Sequence, residues 1–257
     1  MRDTIKGTIS VVSHGHAALV RALLDDLRAQ QGIGDWKVVL TLNILEIGAD
    51  PLGEHDLRDL SGVVVRNAAP KGFGANHNAA ALLAEGPIFL IVNPDIRLPA
   101  SDTLARLAAM PWHTSGPVLR APVVIAPNGE HEDSVRLNLS LPNLVRRARG
   151  RSAGWEADPT SAEFFWLAGM FLAVPLDTFR SIGGFDERFR LYCEDYDLSA
   201  RWRLIGGQIR IIPDLAVVHD ARRDSHRSWR HMRWHLESLL RVWTSGAFWR
   251  IVTRRYR

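Results

Sequence analysis

Three short stretches hold the side chains best suited to chemistry. FRLYCEDYDLSARWRLIGG, residues 189–207, places Glu194, Asp195 and Asp197 within four positions, between an aromatic run and an Arg-rich helical pattern. Like charges this close raise one another's pKa unless a cation, hydrogen bonds or solvent separate their roles. Acids also complement the macrodipole at a helix N-terminus. One acid can therefore start a helix, predicted at Asp195 or Asp197, while another faces a cleft. Asn93–Pro94–Asp95 directly follows the apolar run PIFLIV. A carboxylate beyond the carboxyl end of a strand in an open α/β sheet lies where ligands bind, although Asn, Pro and Asp are equally the residues of a plain turn. His219 closes the apolar stretch LAVV and precedes Asp220. Facing Asp95 across a crevice, it would complete an imidazole and carboxylate pair suited, with phosphate oxygens and water, to Mg2+ or Mn2+. As a strand-end histidine it needs no such role.

The elements around these residues predict an α/β fold. TISVVS (8–13) reads as a buried strand, and the segment after it has Ala18, Leu19, Leu23, Leu24 and Leu27 at helical spacing. KVVLTLNIL (37–45) and GVVVRN (62–67) are further strands. The glycines of PKGFGANHNAAALLAEG lead into an Ala/Leu-rich helix closed by Gly86. PIFLIVNPD (87–95) is apolar throughout, as a strand covered on both faces should be. Strands alternating with helices imply a mostly parallel sheet. A short helix is expected over 102–110, a strand and turn over 117–130, and a long loop over 131–160 carrying Arg146, Arg147, Arg149 and Arg151. FFWLAGMFLAVP (164–175) is buried, GQIRIIPDLAVVHD (207–220) reads as a last strand pair, and from Ser228 the chain turns amphipathic. We divide it into a body, 1–227, and a basic helical tail, 228–257.

Composition narrows the class. The chain has 257 residues, enough for one substantial core, with 46% hydrophobic and 23% charged residues and no low-complexity tract. Cys193 is the only cysteine, so no internal disulfide can form and a reducing, cytoplasmic setting is expected. The N-terminal stretch lacks the apolar region of a signal peptide, and no apolar run approaches the ~20 residues of a membrane span. The net charge is +4, but from Asp220 onward ten arginines face three acids, so the basic character belongs to the tail.

Taken in order, TISVVSHGH, RNAAPKGFGANHNAAALLAEGPIFLIVNPDIRL and WLAGMFLAVPLDTFRSIGGFDERFRLYCEDYDLSARWRLIGGQIRIIPDLAVVH resemble the family 2 glycosyltransferases of GT-A fold, particularly the bacterial rhamnosyltransferase-like branch. The resemblance covers nearly all of 8–220. It implies an inverting transfer from a nucleotide diphosphate sugar, dTDP-L-rhamnose first, to a glycan or lipid-linked acceptor in surface polysaccharide synthesis. Asn93–Pro94–Asp95 matches the family's metal motif, with Asp95 as the metal carboxylate and His219 as the second protein ligand. Glu194–Asp195 matches the acidic pair whose second member is the general base. Ser13 and His14 occupy the strand edge that borders the nucleotide base, and Gly72, Gly74 and Asn76 match the loop beside it. The family's second strand usually ends in Asp-Asn, and that Asp reads the base. Here the strand ends LTLNILE, leaving Asn43 or Glu46 for the task.

Other readings remain beside this one. A UDP-hexose or N-acetylhexosamine donor fits the same family, and an inactive nucleotide-sugar-binding protein fits the same fold. The Arg-rich tail suggests a nucleic-acid surface only if its tryptophans are ignored, and no nucleic-acid motif accompanies it. Trp229, Met232, Leu236, Leu239, Leu240 and Trp243, followed by Phe248 and Trp249 among arginines, have instead the make-up of a peripheral membrane contact. The alternatives for this stretch are packing on the body or a dimer seam.

Overall fold

The computed structural model describes residues 5–44, 50–150, 163–220 and 229–253, with side chains from 232 onward in the last segment. Four parallel strands form its first half: β1 (Gly7–Ser13), β2 (Trp36–Leu42), β3 (Gly62–Arg66) and β4 (Ile88–Val92). They alternate with α1 (Ala17–Arg28) and α2 (Phe73–Leu82). β1 pairs with β2 on one side and β4 on the other, so strand order reverses between β1 and β4. That is where an open α/β sheet offers a crevice at its carboxyl edge.

The second half extends the sheet and mixes its directions. β5 (Ile96–Arg97), α3 (Thr103–Ala109) and β6 (Val118–Ile125) precede a two-stranded antiparallel pair, β7 (Val135–Leu137) and β8 (Phe165–Leu167). α4 (Leu141–Ala148) lies between the members of that pair. The described part of the expected loop, 131–150, holds regular elements: β7 buries Val135, and Pro142 occupies the first turn of α4, where its missing N–H costs nothing. Arg151 lies outside the described residues. β9 (Phe171–Pro175) then runs antiparallel to β4 and β6, inserted between them.

α5 (Leu176–Ser181) and α6 (Glu194–Leu204) lead to β10 (Gln208–His219). β10 is one strand rather than the expected pair. It follows β6 in parallel and absorbs an irregularity between Ile212 and Ala216, around Pro213, whose missing N–H cannot join a ladder. The eight-stranded order is β3-β2-β1-β4-β9-β6-β10-β5.

Apolar residues cover both faces. Val20, Leu23, Leu24 and Leu27 of α1, with Leu104 and Leu107 of α3, pack on one. Ala80 and Ala81 of α2, Phe179 of α5 and Trp202 of α6 pack on the other. The C-terminal helices α7 (Trp229–Thr244) and α8 (Gly246–Val252) join this second layer through buried Val242, Phe248 and Ile251. Trp243 Nε1 donates to Leu139 O at 2.8 Å, tying α7 to the start of α4.

Candidate active site

Two clusters flank the turn between β8 and β9. The first forms at the end of β4. Ile96 N–H closes the Asn93–Ile96 turn onto Asn93 O at 3.1 Å, and β5 pairs antiparallel with β10, setting His219 opposite Ile96. Arg97 clasps Asp26 of α1 through two 2.6 Å hydrogen bonds, which pins β5. The result places His219 Nε2 3.3 Å from Asp95 Oδ2. Burial works against the charged imidazole, but the hydrogen bond to Asp95 and the charges of Asp95 and Glu132 outweigh it and raise the His219 pKa. Glu132 Oε1 lies 3.8 Å from His219 Nδ1, beyond hydrogen-bond reach.

Asp95 Oδ1 and His219 Nδ1 are both buried without a hydrogen-bond partner. Orphaned buried polar atoms are costly; Nδ1 lies on the Glu132 side of the ring, and the Asp95 carboxylate beside His219 Nε2 is a donor set for a divalent cation. Among the described residues no three His, Cys, Asp or Glu side chains form a cage. The residues present thus fit a cation held by two protein groups, with a ligand completing its shell.

The second cluster opens α6. Tyr192 and Cys193 both adopt positive φ, 74° and 64°, which costs non-glycine residues about 1–3 kcal/mol each. The surroundings enforce it. Phe73 N–H donates to Arg190 O at 3.2 Å, Ser238 Oγ donates to Leu191 O at 3.0 Å, and the Tyr192 ring stacks on His235 with centroids 5.0 Å apart. Gly72 belongs to the same clamp, because a Cβ there would lie 2.7 Å from Arg190 O. The strained turn aims the acids. Asp195 Oδ2 accepts Gly169 N–H at 3.0 Å and its Oδ1 accepts Tyr196 N–H at 2.9 Å.

Burial raises the Asp195 pKa, against the opposing pull of Arg136 and these backbone donors. Glu194, 5% exposed with Oε2 unpartnered, is raised well above the ordinary glutamate range by burial and then by Asp195. Burial thus pushes both neighbouring carboxyls upward, and Arg136 with the two backbone donors opposes the shift at Asp195. Asp197 does something else: it bonds Arg201 at 2.7 Å, and Arg201 reaches Ile182 O and Gly184 O. No acid takes the helix N-cap; Cys193 does.

A short relay joins the clusters. Asn93 N–H donates to Met170 O at 2.9 Å, and the adjacent Gly169 holds Asp195. A pocket of about 370 Å³ opens beside Asp195 and Glu194, lined also by Arg136, Arg147, Met232 and His235.

The remaining sequence candidates gather at the carboxyl ends of β1 to β3, where their side chains mostly serve one another. Asn43 Oδ1 accepts from Asn67 and from Lys71 N–H, while its Nδ2 donates to His14 Nδ1 and Lys71 O. All four of its hydrogen-bonding positions are filled. Asn76 is fully buried between Asn67 and Gly72 O. Ser13 is buried, with its carbonyl taken by Asn43 N–H. His14 is exposed on one side; burial of its other edge, and then His16, lower its pKa. Glu46 lies outside the described residues. Gly169, Arg136 and Glu132 escaped the sequence reading. The Arg of VRL interrupting an apolar strand was the available signal for Arg136, whereas a backbone donor such as Gly169 carries no side-chain signature.

In sequence and in fold the chain is similar to known glycosyltransferases. The rhamnosyltransferase WbbL of Escherichia coli K12 is 25% identical over 245 residues, 91% of this chain and 90% of WbbL. An N-acetylglucosaminyl-diphospho-decaprenol L-rhamnosyltransferase of Mycobacterium tuberculosis is 29% identical over 145 residues, 51% of this chain and 46% of that protein. No protein-family model matches. Among solved structures, the mannosyltransferase PcManGT of Pyrobaculum calidifontis, in complex with GDP-Man and Mn2+, superposes with TM-score 0.63 at 20% identity. It is covered to 64%, against 93% of this chain. S. aureus TarS in complex with UDP-GlcNAc gives TM-score 0.58 at 18% identity, covering 85% of this chain and 59% of TarS. The chain thus spans less than two thirds of either solved protein, and these likenesses establish the fold as GT-A.

Proposed function

Starting from the chain as a rhamnosyltransferase-like glycosyltransferase of family 2, we propose that it transfers L-rhamnose from dTDP-L-rhamnose, with inversion, to a hydroxyl of a lipid-linked saccharide. The observation that carries this reading is the relay from the Asn93–Asp95 turn through Met170 and Gly169 to Asp195. It holds the Asp95 turn and the Asp195 carboxylate on opposite sides of one short segment, which supports reading the first as a cation ligand and the second as a proton acceptor. A donor diphosphate at the first and an acceptor hydroxyl at the second would meet between them.

In the transfer, Asp195 accepts the acceptor hydroxyl proton as that oxygen bonds to the anomeric carbon, and the bond from that carbon to the diphosphate oxygen breaks. The two backbone N–H groups hold the carboxylate still, and Arg136 favours its charged form against the effect of burial. Asp95 and His219 would hold Mg2+ or Mn2+, which when bound neutralises charge on the departing nucleoside diphosphate. Asn43, Asn67 and Asn76 keep the strand ends rigid beneath the nucleotide, and the exposed face of His14 is the side chain free to meet the base.

The acceptor's lipid accounts for the surface of α7. Met232, Leu236 and Leu240 recur every fourth residue and are 55–59% exposed, with Trp249 and Val252 exposed on α8. Exposed Arg233, Arg241 and Arg250 accompany them. Apolar residues edged by arginine suit an anionic lipid surface. Among the described residues no helix is long and apolar enough to cross a membrane. A donor panel tests the reading: dTDP-L-rhamnose, UDP-sugars and GDP-mannose are each incubated with a prenyl diphosphoryl N-acetylglucosamine acceptor and Mn2+, and nucleoside diphosphate release is followed. Release from dTDP-L-rhamnose alone is expected; preference for a UDP-sugar would reassign the donor, and no turnover with any of them would refute the assignment.

A further inference from the structure

The pocket beside Asp195 is lined by two arginines that share a single carboxylate oxygen. Arg136 on β7 and Arg147 on α4 both lean on Asp133 Oδ2. Arg136 Nε donates to it at 3.2 Å, while Arg147 donates through Nε at 2.8 Å and lies 2.7 Å away through its NH2 group. One carboxylate oxygen thus serves two guanidinium groups, and Asp133 Oδ1 is buried without a partner. Arg136 also lies over the Trp166 ring, 5.1 Å from its centroid, and donates to Asp133 O at 2.8 Å. Burial, followed by the proximity of Arg147, disfavours its charged form. Among the described residues only the Nε of Arg136 is engaged in hydrogen bonds, leaving its outer nitrogens open. A guanidinium with open outer nitrogens, paired with Arg147, which engages Asp133 through one edge, is an arrangement that can grip phosphate oxygens.

The location decides which phosphate. The pair lines the same pocket as Asp195, Tyr192 and His235, whereas Asp95 and His219 lie outside that lining. An anion here accompanies the group that gives its proton to Asp195. Met232, the first residue of the exposed apolar row on α7, also lines the pocket, so an alkyl chain leaving the phosphates would meet an apolar path at once. We infer that Arg136 and Arg147 form an acceptor subsite for a diphosphate joining the acceptor sugar to a prenyl chain. The inference rests on the proposed lipid-linked acceptor and adds the residues that recognise it.

The test uses the full chain and no sugar donor, so its outcome does not depend on which sugar is transferred. Farnesyl diphosphate is titrated by calorimetry into protein saturated with dTDP and excess Mn2+, alongside Arg147→Gln, Arg136→Gln and a farnesol control. Arg147 is half-exposed on α4, so its replacement leaves the core untouched. Farnesyl diphosphate is expected to bind while dTDP remains bound. Each substitution should weaken it about tenfold or more, as loss of a charge-assisted contact does, and farnesol should bind far more weakly. Displacement of the probe by dTDP would give the arginines to the donor site. Unchanged affinity in both variants, or equal binding of farnesol, would overturn the subsite.

Discussion

Replacing Asp195 by Asn changes one oxygen to nitrogen and removes the proton acceptor. The carboxylate uses both oxygens, one for Gly169 N–H and one for Tyr196 N–H. The amide retains one acceptor, so one of these hydrogen bonds is lost, at about 1.5–3 kcal/mol for a bond to a charged group. The variant also no longer buries an ionised group, which offsets part of that loss. Fold stability should therefore change by no more than about 2 kcal/mol. Turnover should fall by roughly 10²–10⁴, or about 2.7–5.4 kcal/mol in barrier, because the amide cannot take the proton from the acceptor hydroxyl. Donor affinity should stay at the wild-type value, since Asp95 and His219 are untouched. Nucleoside diphosphate release with acceptor measures the first effect, calorimetry with donor the second and thermal melting the third. Turnover within threefold of wild type would refute the assignment of Asp195 as base and move the proton to Glu194. A parallel loss of donor affinity would make Asp195 a donor contact instead.

Three further outcomes follow from the same geometry. Asp95→Ala should abolish the gain in nucleotide affinity produced by Mg2+ or Mn2+; calorimetry with and without metal checks this, and an undiminished metal effect refutes the site. Because the Glu194 pKa is raised in the folded chain, the native state keeps a proton that the unfolded state has lost. Stability contributed by this group thus falls as pH rises from the ordinary glutamate value towards the raised one. Glu194→Gln should flatten that slope and raise Tm at neutral pH, as melting across a pH series will record. Met232, Leu236 and Leu240 replaced together by Ser should leave Tm nearly unchanged and abolish co-sedimentation with anionic vesicles at low salt, where equal sedimentation of variant and wild type would refute the membrane face. Truncation after Thr244 is a poorer test, since it removes buried Phe248 and Ile251 from the core.

The parts of the fold legible in the sequence are those written in local pattern. β1, β4 and α1 follow from apolar runs and helical spacing, and their ends fall within a few residues of expectation. β10 was harder because Pro213 punctuates a continuous strand as it would a turn, and only pairing with β6 carries the chain past it. The 131–160 stretch looked like loop because α4 buries no residue and β7 has only three. Its order comes from contacts with distant partners such as Trp166 and Trp243. Within the site, the Asp95 and His219 pair and the Glu194 and Asp195 pair were visible as residue types at strand and helix ends. Asn43 was visible too, but side-chain chemistry alone cannot distinguish an amide facing a ligand from one spent on Asn67 and Lys71. The donor from Gly169 depends on a backbone direction that no side chain advertises.

The insertion of β9 between β4 and β6 has a consequence for how the chain is made. On the ribosome, β1 to β4 emerge first and can pair as a parallel unit, but the outer side of Ile88–Val92 then has no neighbour. Its partner follows roughly 80 residues later, an interval of about 4–16 s at ordinary elongation rates. For that time a five-residue aliphatic and aromatic edge, IFLIV, stands open to any other strand. Rapid synthesis through 93–170, or a chaperone that covers the nascent β4 edge, should raise the yield of native protein, and slow codons across that interval should lower it.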